Sequence, residues 1–383
     1  MRLRWSHLVC GLLLAPLVSL IASAPARPLP LFSRKTGDPC ARCHGVVPRL
    51  SRAGIEFAQG GYRDSIDRLA GGPRDLPVSV VGGAGVGFSR PESEHAALHR
   101  SPNSLTGHEL ELLSAGTLMH RLTYQLDVGT TRQFEDAGVG VAFVQLADVV
   151  RNGALNLKLG RFDSELPFLS QTRRTTFQDY LMPVTLEAQG MELNGGRSGW
   201  TYAAALVTSQ RHTQGPNHPA QVHDRLEDTC FRVMREVMGH PLGAQMLFDR
   251  QDSELPTHTW LQHLRLECAT SLGTPRVTII PAYLFDRFDD RPAAGIHERH
   301  QYFLLEAVTT LDGRGRWPLT ARYEHDYRSL NAVDPEDHRQ LEALDLARFV
   351  TPNAKLGVES SRSDERLGRQ HRDELGMFLQ VSY

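Results

Sequence analysis

The feature that most constrains the fold is a series of short segments in which apolar and polar residues alternate, repeated through residues 76–383. In one of them, Leu155, Leu157 and Leu159 fall on one face and polar residues lie between them. The segments have the roughly 9–11 residues with which a tilted strand crosses a bilayer. Apolar-out, polar-in alternation is what a barrel with a wet lumen requires. The pattern therefore predicts an all-β fold, a transmembrane antiparallel β-barrel.

The number of segments is about sixteen, and an even number is expected for a bacterial barrel. We expect strands to begin near Val78, His108, His120, Gly138, Gly153, Met182, Ser198, Cys230, Gly243, Thr259, Arg276, Gln301, Trp317, Gln340, Asn353 and Leu375. The polar stretches 211–228, 286–295, 328–338 and 361–373 are typical of extracellular loops. A wet lumen also explains a mean hydropathy of −0.33 in a membrane protein. The net charge of −2 gives no indication of a nucleic-acid partner.

The two ends of the chain carry export signals. Arg2 and Arg4 precede the apolar residues 8–22, and small residues follow, so residues 1–24 are predicted to be a secretory signal peptide. The apolar run is shorter than the roughly 20 residues of a membrane-spanning helix. At the other end, alternating apolar residues finish on Tyr383. Such a strand is similar to the assembly signal of outer-membrane barrels, and the alternative is an edge strand of a soluble domain.

Cys40, Cys43 and His44 form the motif C-x-x-C-H, by which c-type haem is attached. Two thiols at this spacing can bond to the two vinyl groups of one porphyrin, and the histidine can then bind the iron. The motif predicts one covalent haem c, with His44 as its metal ligand. Electron transfer is then the expected chemistry.

The haem-bearing segment, residues 25–75, is too short to bury a core of its own. Leu50, Gly54 and Phe57 recur at helical spacing, and Gly60-Gly61 should end this helix. One helix and a haem need a wall to pack against. We therefore expect a small α-helical cytochrome segment that plugs the lumen or periplasmic mouth of a barrel formed by residues 76–383.

The sixth position on the iron has no conventional protein ligand within residues 25–75, where His44 is the only histidine and methionine is absent. Either the haem is five-coordinate or the barrel supplies a ligand. Candidates for that ligand are His95, His99, His108, Met119 and His120.

Three further groups of residues have two interpretations each. The basic residues around the motif could pair with the haem propionates or form a solvated face: Arg34, Lys35, Arg42, Arg49 and Arg52. Cys230 and Cys268 could form a disulfide in an oxidising compartment or remain unrelated thiols. An acidic and histidine-containing cluster could bind iron or be a charged extracellular loop: Asp289, Asp290, His297, Glu298 and His300.

The N-terminal segment resembles fused monohaem cytochrome–porins, whose best-known members are outer-membrane iron oxidases. The resemblance covers about 30 residues, through residues 32–37, the C-x-x-C-H motif, Leu50, Gly54 and Gly61-Tyr62. It implies a cytochrome plug in a barrel of about 16 strands in the outer membrane, in contact with its lipid. It also implies an Fe(II):cytochrome c oxidoreductase, with extracellular Fe(II) as donor and a periplasmic carrier, such as a soluble cytochrome, as acceptor.

Two other functions fit the same residues. The first is a passive porin in which the haem-bearing segment is a plug, gate or sensor. The second is a soluble periplasmic all-β cytochrome. None of these functions, electron transfer included, needs a protein side chain that makes or breaks a covalent bond of a substrate.

Overall fold

The computed structural model describes residues 40–44, 49–61, 78–91, 103–119, 121–130, 137–150, 153–166, 168–170, 174–184, 186–209, 226, 228–252, 260–273, 277–290, 296–312, 315–330, 337–351, 354–365 and 370–382. The predicted signal peptide lies outside these residues. Among them, no helix has the length and apolar character needed to cross a membrane.

Within the described residues, two short helices precede the barrel. Helix α1 is one turn, Cys40–Cys43, and helix α2 spans Arg52–Gln59. The Ser51 side chain caps α2 by accepting a hydrogen bond from the backbone N–H of Gly54, at 3.3 Å. Gly60 ends the helix, as the sequence predicts.

Sixteen antiparallel strands follow, the number that the sequence predicts. They are β1 Val78–Pro91, β2 Asn103–Met119, β3 Leu122–Thr130, β4 Ala137–Val150, β5 Leu155–Ser164, β6 Leu186–Arg197, β7 Trp200–Ser209, β8 Asp228–Val237, β9 His240–Asp252, β10 Trp260–Thr270, β11 Val277–Asp290, β12 Ile296–Thr310, β13 Pro318–Leu330, β14 Asp337–Thr351, β15 Ala354–Glu365 and β16 Gln370–Ser382. After a break at Ser271, Leu272–Gly273 continues β10. Each strand pairs with its neighbours in sequence and β16 pairs with β1, so the barrel is closed.

The connections alternate in length around the barrel. The β6–β7 and β8–β9 turns contain two residues each, and Met238-Gly239 adopts φ of 52° and 82°, the left-handed pair that a tight hairpin needs. The β7–β8 connection, in contrast, spans residues 210–227. In outer-membrane barrels the short turns face the periplasm and the long loops face outward. The chain therefore enters and leaves the barrel at its short-turn end.

The strands are longer at the long-loop end than the sequence predicts. β11 and β12 remain paired from Asp290↔Ile296 onward, inside the stretch 286–295 that was expected to be a loop. β13, β15 and β16 likewise extend into the predicted loops 328–338 and 361–373. Polar strand ends resemble loops in sequence, since only the ladder hydrogen bonds distinguish them.

The two faces of the barrel wall differ in polarity, as the alternation predicts. On β14, Leu341 and Asp345 are buried toward the interior, whereas Leu344 and Leu346 face outward. Large apolar side chains are exposed on the outer face of most strands. Trp200 and Trp317 lie outward near the short turns, with Arg235 and Arg348 over their rings at 4.8 and 5.1 Å. These are the apolar band and the interfacial aromatics of a membrane barrel.

A hydrophobic core lies inside the barrel. The β5–β6 connection brings Leu166, Phe168, Tyr180 and Met182 into the interior, where they pack against the wall and against Ile55 of α2. The alternating pattern predicts a wet lumen and does not indicate this inward segment. The run Leu166-Pro167-Phe168-Leu169 between two strands is the signal that could have identified it, because removing apolar side chains from water is favourable.

Candidate functional site

The N-terminal segment lies inside the barrel at its short-turn end. The carbonyl of Gln59 accepts a hydrogen bond from the side chain of Gln145 at 2.9 Å. Gly61 is buried beside Thr123 and Gln145, and a Cβ there would lie 2.4–3.0 Å from their side chains. Its φ of 74° is also a conformation that favours glycine, so both the close contacts and the backbone require this residue type. α2 and its C-terminal turn are thus held against the inner wall at β3 and β4.

Arg49 connects this segment to the opposite wall. Its guanidinium forms an ion pair with Glu306 of β12 and donates to the hydroxyl of Tyr180 at 3.2 Å. Tyr180 donates to the other oxygen of Glu306 at 2.9 Å, and Thr175 donates to the same carboxylate at 3.1 Å. Burial by itself would lower the pKa of Arg49, but Glu306 and Tyr180 raise it above its ordinary value. The buried charges therefore have the hydrogen-bonded partners that make their burial tolerable.

A second contact fixes α2 over strand β8. Arg52 pairs with Glu56 on its own helix and with Glu236 near the end of β8. Ile55, three residues after Arg52 on the same helix, is 4% exposed and belongs to the interior core. The helix therefore lies between a charged anchor at the barrel mouth and apolar contacts deeper inside.

The C-x-x-C-H turn rests on the start of α2. The backbone N–H of Ser51 donates to the carbonyl of Cys43, and the Ser51 hydroxyl donates to the carbonyl of Arg42, both at 2.8 Å. A Cβ on Gly54 would collide with the carbonyl oxygen of Cys43. His44 pairs with Leu50 through an isolated β-bridge. The motif is thus attached to the helix that docks inside the barrel.

A cavity of about 550 Å³ lies between α2 and the barrel wall. Its lining includes Leu50 and Ile55 from the N-terminal segment and Phe168 from the inward connection. Met234 and Ile280 complete the apolar part of the wall. Its volume falls within the roughly 300–1,000 Å³ of cofactor sites.

The residues present fit a c-type haem. Cys40 and Cys43 occupy positions i and i+3 of one helical turn, a spacing that places residues on one face. The Cys43 and His44 side chains are both half-buried. The side chain of Cys40 lies outside the described residues. Leu50, which pairs with His44, lines the cavity, so a space with both apolar and charged lining residues adjoins the motif.

The predicted sixth ligands are not brought to this cavity by the described part of the chain. His95, His99 and His120 lie outside the described residues, and of His108 only the backbone, in β2, is described. Met119 ends β2 with 72% of its surface exposed.

The basic residues around the motif are separated by the fold. Arg49 is engaged by Glu306, and Arg52 by Glu56 and Glu236, while Arg42 is exposed. Arg34 and Lys35 lie outside the described residues. Arg49 is therefore not part of a solvated face, and its pairing with a propionate remains a prediction, since its Nε and Nη1 are buried without a hydrogen-bond partner among the described residues.

The acidic and histidine-containing cluster is split between two paired strands. Asp289 pairs in register with His297, at the long-loop ends of β11 and β12. His300 faces the interior, where its Nδ1 lies 3.0 Å from the Tyr302 hydroxyl and 3.6 Å from Asp326. Within the described residues, no group of three or more histidine, cysteine or carboxylate side chains has the geometry to hold a metal ion.

The interior wall carries a paired ionic network that the sequence analysis did not identify. Glu192 accepts from Lys158 and Asn194, each at 2.9 Å, and forms an ion pair with Arg232 at 3.3 Å. Lys158, Glu192 and Arg232 lie on three different strands, so only the strand register brings these charges together. The alternation of apolar and polar residues along a strand indicates only that each of these side chains faces inward.

Cys230 and Cys268 are free thiols on opposite faces of the wall. Cys230 is buried inside, 3.2 Å from the Ser164 hydroxyl. Cys268 is exposed on the outer face. The interpretation as two unrelated thiols is the one that the structure supports.

Comparisons with known proteins agree with this architecture. No family model matches the chain, and no curated protein matches it. The outer membrane channel DcaP of Acinetobacter baumannii is similar in structure, with a TM-score of 0.62 and 11% identity over 81% of this chain and 97% of that one. An anion-selective porin from Comamonas acidovorans gives a TM-score of 0.56 and 10% identity over 80% and 98%. OmpF of Salmonella typhi, in a complex with daunomycin, gives 0.54 and 11% over 79% and 97%.

What these proteins share with this chain is the fold. The closed sheet, the apolar outer surface and the charged interior are those of an outer-membrane barrel. The chain is therefore an outer-membrane β-barrel protein whose outer face contacts lipid.

Proposed function

We propose that this protein is an outer-membrane electron-transfer barrel that carries one covalent haem on its N-terminal segment. The observation that supports the proposal is the attachment of the C-x-x-C-H turn to α2, a helix docked inside the short-turn end of the barrel by Arg49 and Arg52. Cys40 and Cys43 would hold the porphyrin, and His44 would bind the iron. A haem so bound supplies reversible one-electron chemistry.

The occupied interior favours electron transfer over bulk diffusion. Porins of this size leave an aqueous channel, whereas here Leu166, Phe168 and Met182 form a core with Ile55. Electrons need no open aqueous path, so a filled lumen is compatible with their passage and opposes that of solutes. The cavity beside α2 would also shield an enclosed group from water.

The location of the motif also favours a periplasmic partner. Short turns face the periplasm, so the docked segment lies where a soluble periplasmic carrier can approach. The resemblance to cytochrome–porins supports extracellular Fe(II) as the donor. In that reaction each Fe(II) becomes Fe(III) outside, and one oxidised carrier molecule gains one electron.

The test uses the full-length purified protein and a Cys40→Ser/Cys43→Ser double variant. We expect the wild type to retain haem after denaturing electrophoresis, and its haem to be reduced when Fe(II) is added outside liposomes that contain the protein. The double variant should form the same heat-modifiable barrel without covalent haem or reduction. Absence of covalent haem in the wild type would contradict the proposal.

A second function is a solute channel in which the haem-bearing segment is a plug, gate or sensor. The observation that favours it is the similarity in fold to an outer membrane channel and an anion-selective porin. Planar-bilayer recordings distinguish the two functions. Steady ion conductance of the wild type, together with a haem that no donor outside liposomes reduces, would favour the channel.

A further inference from the structure

Among the side chains that the structure describes, Met234 is the one sulfur or imidazole donor that lines the cavity beside α2. It lies on β8 and faces the barrel interior, with 7% of its surface exposed. We infer that the Met234 thioether is the sixth ligand of the haem iron, an inference that rests on the proposed function.

Strand β8 presents Met234 to the N-terminal segment. Glu236, two residues further along the same inward face, forms an ion pair with Arg52 of α2. Ile55 belongs to the same interior core as Met234. These two contacts fix the helix over this part of β8, so the cavity has the haem-bearing segment on one side and Met234 on the other.

The neighbouring strand leaves room for this arrangement. Met234 pairs in register with Gly243 of β9. A Cβ at Gly243 would lie 2.7 Å from the Leu166 side chain and 3.3 Å from Phe168, so the glycine lets the inward connection pack close to the wall. Leu166 and Phe168 then form an apolar surround next to Met234.

The chemistry of a thioether suits this position. Methionine sulfur is neutral and a weak hydrogen-bond acceptor, so burying it among apolar side chains leaves no polar group unsatisfied. A histidine there would require a partner for its second ring nitrogen. Methionine opposite histidine raises the reduction potential of a c-type haem. A raised potential favours accepting electrons from an external donor.

Among the side chains that the structure describes, no other methionine and no histidine lines the cavity. Met182 is buried in the interior core but is not part of the cavity wall. The methionines with exposed side chains are Met119, Met191, Met238, Met246 and Met377. His300 contacts Tyr302 at the long-loop side, and His371 forms an ion pair with Asp364.

The experiment compares Met234→Leu, Met234→His and Met182→Leu in the full-length protein by visible and near-infrared spectroscopy. We expect the oxidised wild type to be low-spin, with the charge-transfer band of methionine-bound haem. Met234→Leu should lose that band, become high-spin and bind carbon monoxide when reduced, with a lower midpoint potential. Met234→His should remain low-spin without the band, and Met182→Leu should keep the wild-type spectrum.

The outcomes separate this inference from the function on which it rests. A wild type without covalent haem overturns both. A wild type with covalent haem that lacks the thioether band, or a Met234→Leu variant that retains it, overturns the ligand assignment alone. Equal heat-modifiable mobility of the variants in electrophoresis establishes that each barrel is folded.

Discussion

Arg49 and Glu306 form an ion pair inside the barrel although 257 positions separate them in the chain. Both side chains are almost fully buried, at 8% and 0% exposure. The pair connects the segment that bears the C-x-x-C-H motif to strand β12. This buried pair is therefore one of the contacts that dock the segment, and the most deeply buried of its ion pairs.

Arg49→Leu should release the N-terminal segment from the lumen. Removing one partner of a buried ion pair costs about 3–5 kcal/mol, because the other charge is left without compensation. Limited proteolysis of the folded protein should then cleave the segment much faster than in the wild type. Arg52→Leu removes a second docking contact and should accelerate cleavage less, since Arg52 is 64% exposed and an exposed pair contributes little. Equal protease resistance of Arg49→Leu and wild type would show that the pair does not hold the segment.

Alkaline pH should weaken the interior packing around Tyr180. Burial, followed by the neighbouring Glu306 carboxylate, raises the pKa of Tyr180 above its ordinary 10.0. The phenol therefore ionises more readily when the interior connection is unfolded, so the stability it contributes is present below that ordinary pKa and falls as pH rises above it. The raised pKa of Arg49 keeps its charge throughout that range.

Protease susceptibility measured from about pH 8 to 11 checks this dependence. The wild type should become susceptible above about pH 10, the ordinary pKa of tyrosine. Tyr180→Phe should be less protected at pH 8 and should change less with pH, since it has no group to ionise. If protease susceptibility changed with pH identically in the wild type and in Tyr180→Phe, ionisation of Tyr180 would not be the cause of the pH dependence.

Gly54→Ala should reduce covalent haem incorporation. In an ordinary helix this substitution stabilises by about 1 kcal/mol, but here a Cβ would collide with the carbonyl oxygen of Cys43. The C-x-x-C-H turn must therefore move off α2. Haem staining after denaturing electrophoresis, normalised to barrel content, measures the loss. Ala53→Ser, on the exposed side of the same helix, should stain like the wild type.

Glu192→Leu should destabilise the barrel itself. Glu192 is 1% exposed and compensates both Lys158 and Arg232, so its loss leaves two cations in the interior at a cost of about 3–5 kcal/mol. The temperature at which the barrel loses its folded electrophoretic mobility should fall. Glu365→Leu, which breaks an exposed 3.7 Å pair with Arg339, should change that temperature little. Comparable shifts in the two variants would mean that the interior network contributes no special stability.

Much of the barrel follows from sequence alone. Period-two alternation assigned Leu155, Leu157 and Leu159 to one face, and all sixteen predicted strand starts correspond to strands. β2, β12 and β16 begin five residues before the predicted positions, because their polar ends remain paired toward the long loops. β6 begins at Leu186 rather than near Met182, because Met182 belongs to the inward connection. Interior position, rather than local periodicity, decides the conformation there.

The sequence by itself determined the motif, the period of the strands and their number, since all three are local properties of residue type and spacing. Only the tertiary structure decided what fills the barrel. Arg49 next to Glu306, and Met234 next to the cavity, depend on strand register and on the path of the inward connection. Contacts between distant segments arise from the closure of the barrel around them, which no short stretch of sequence encodes.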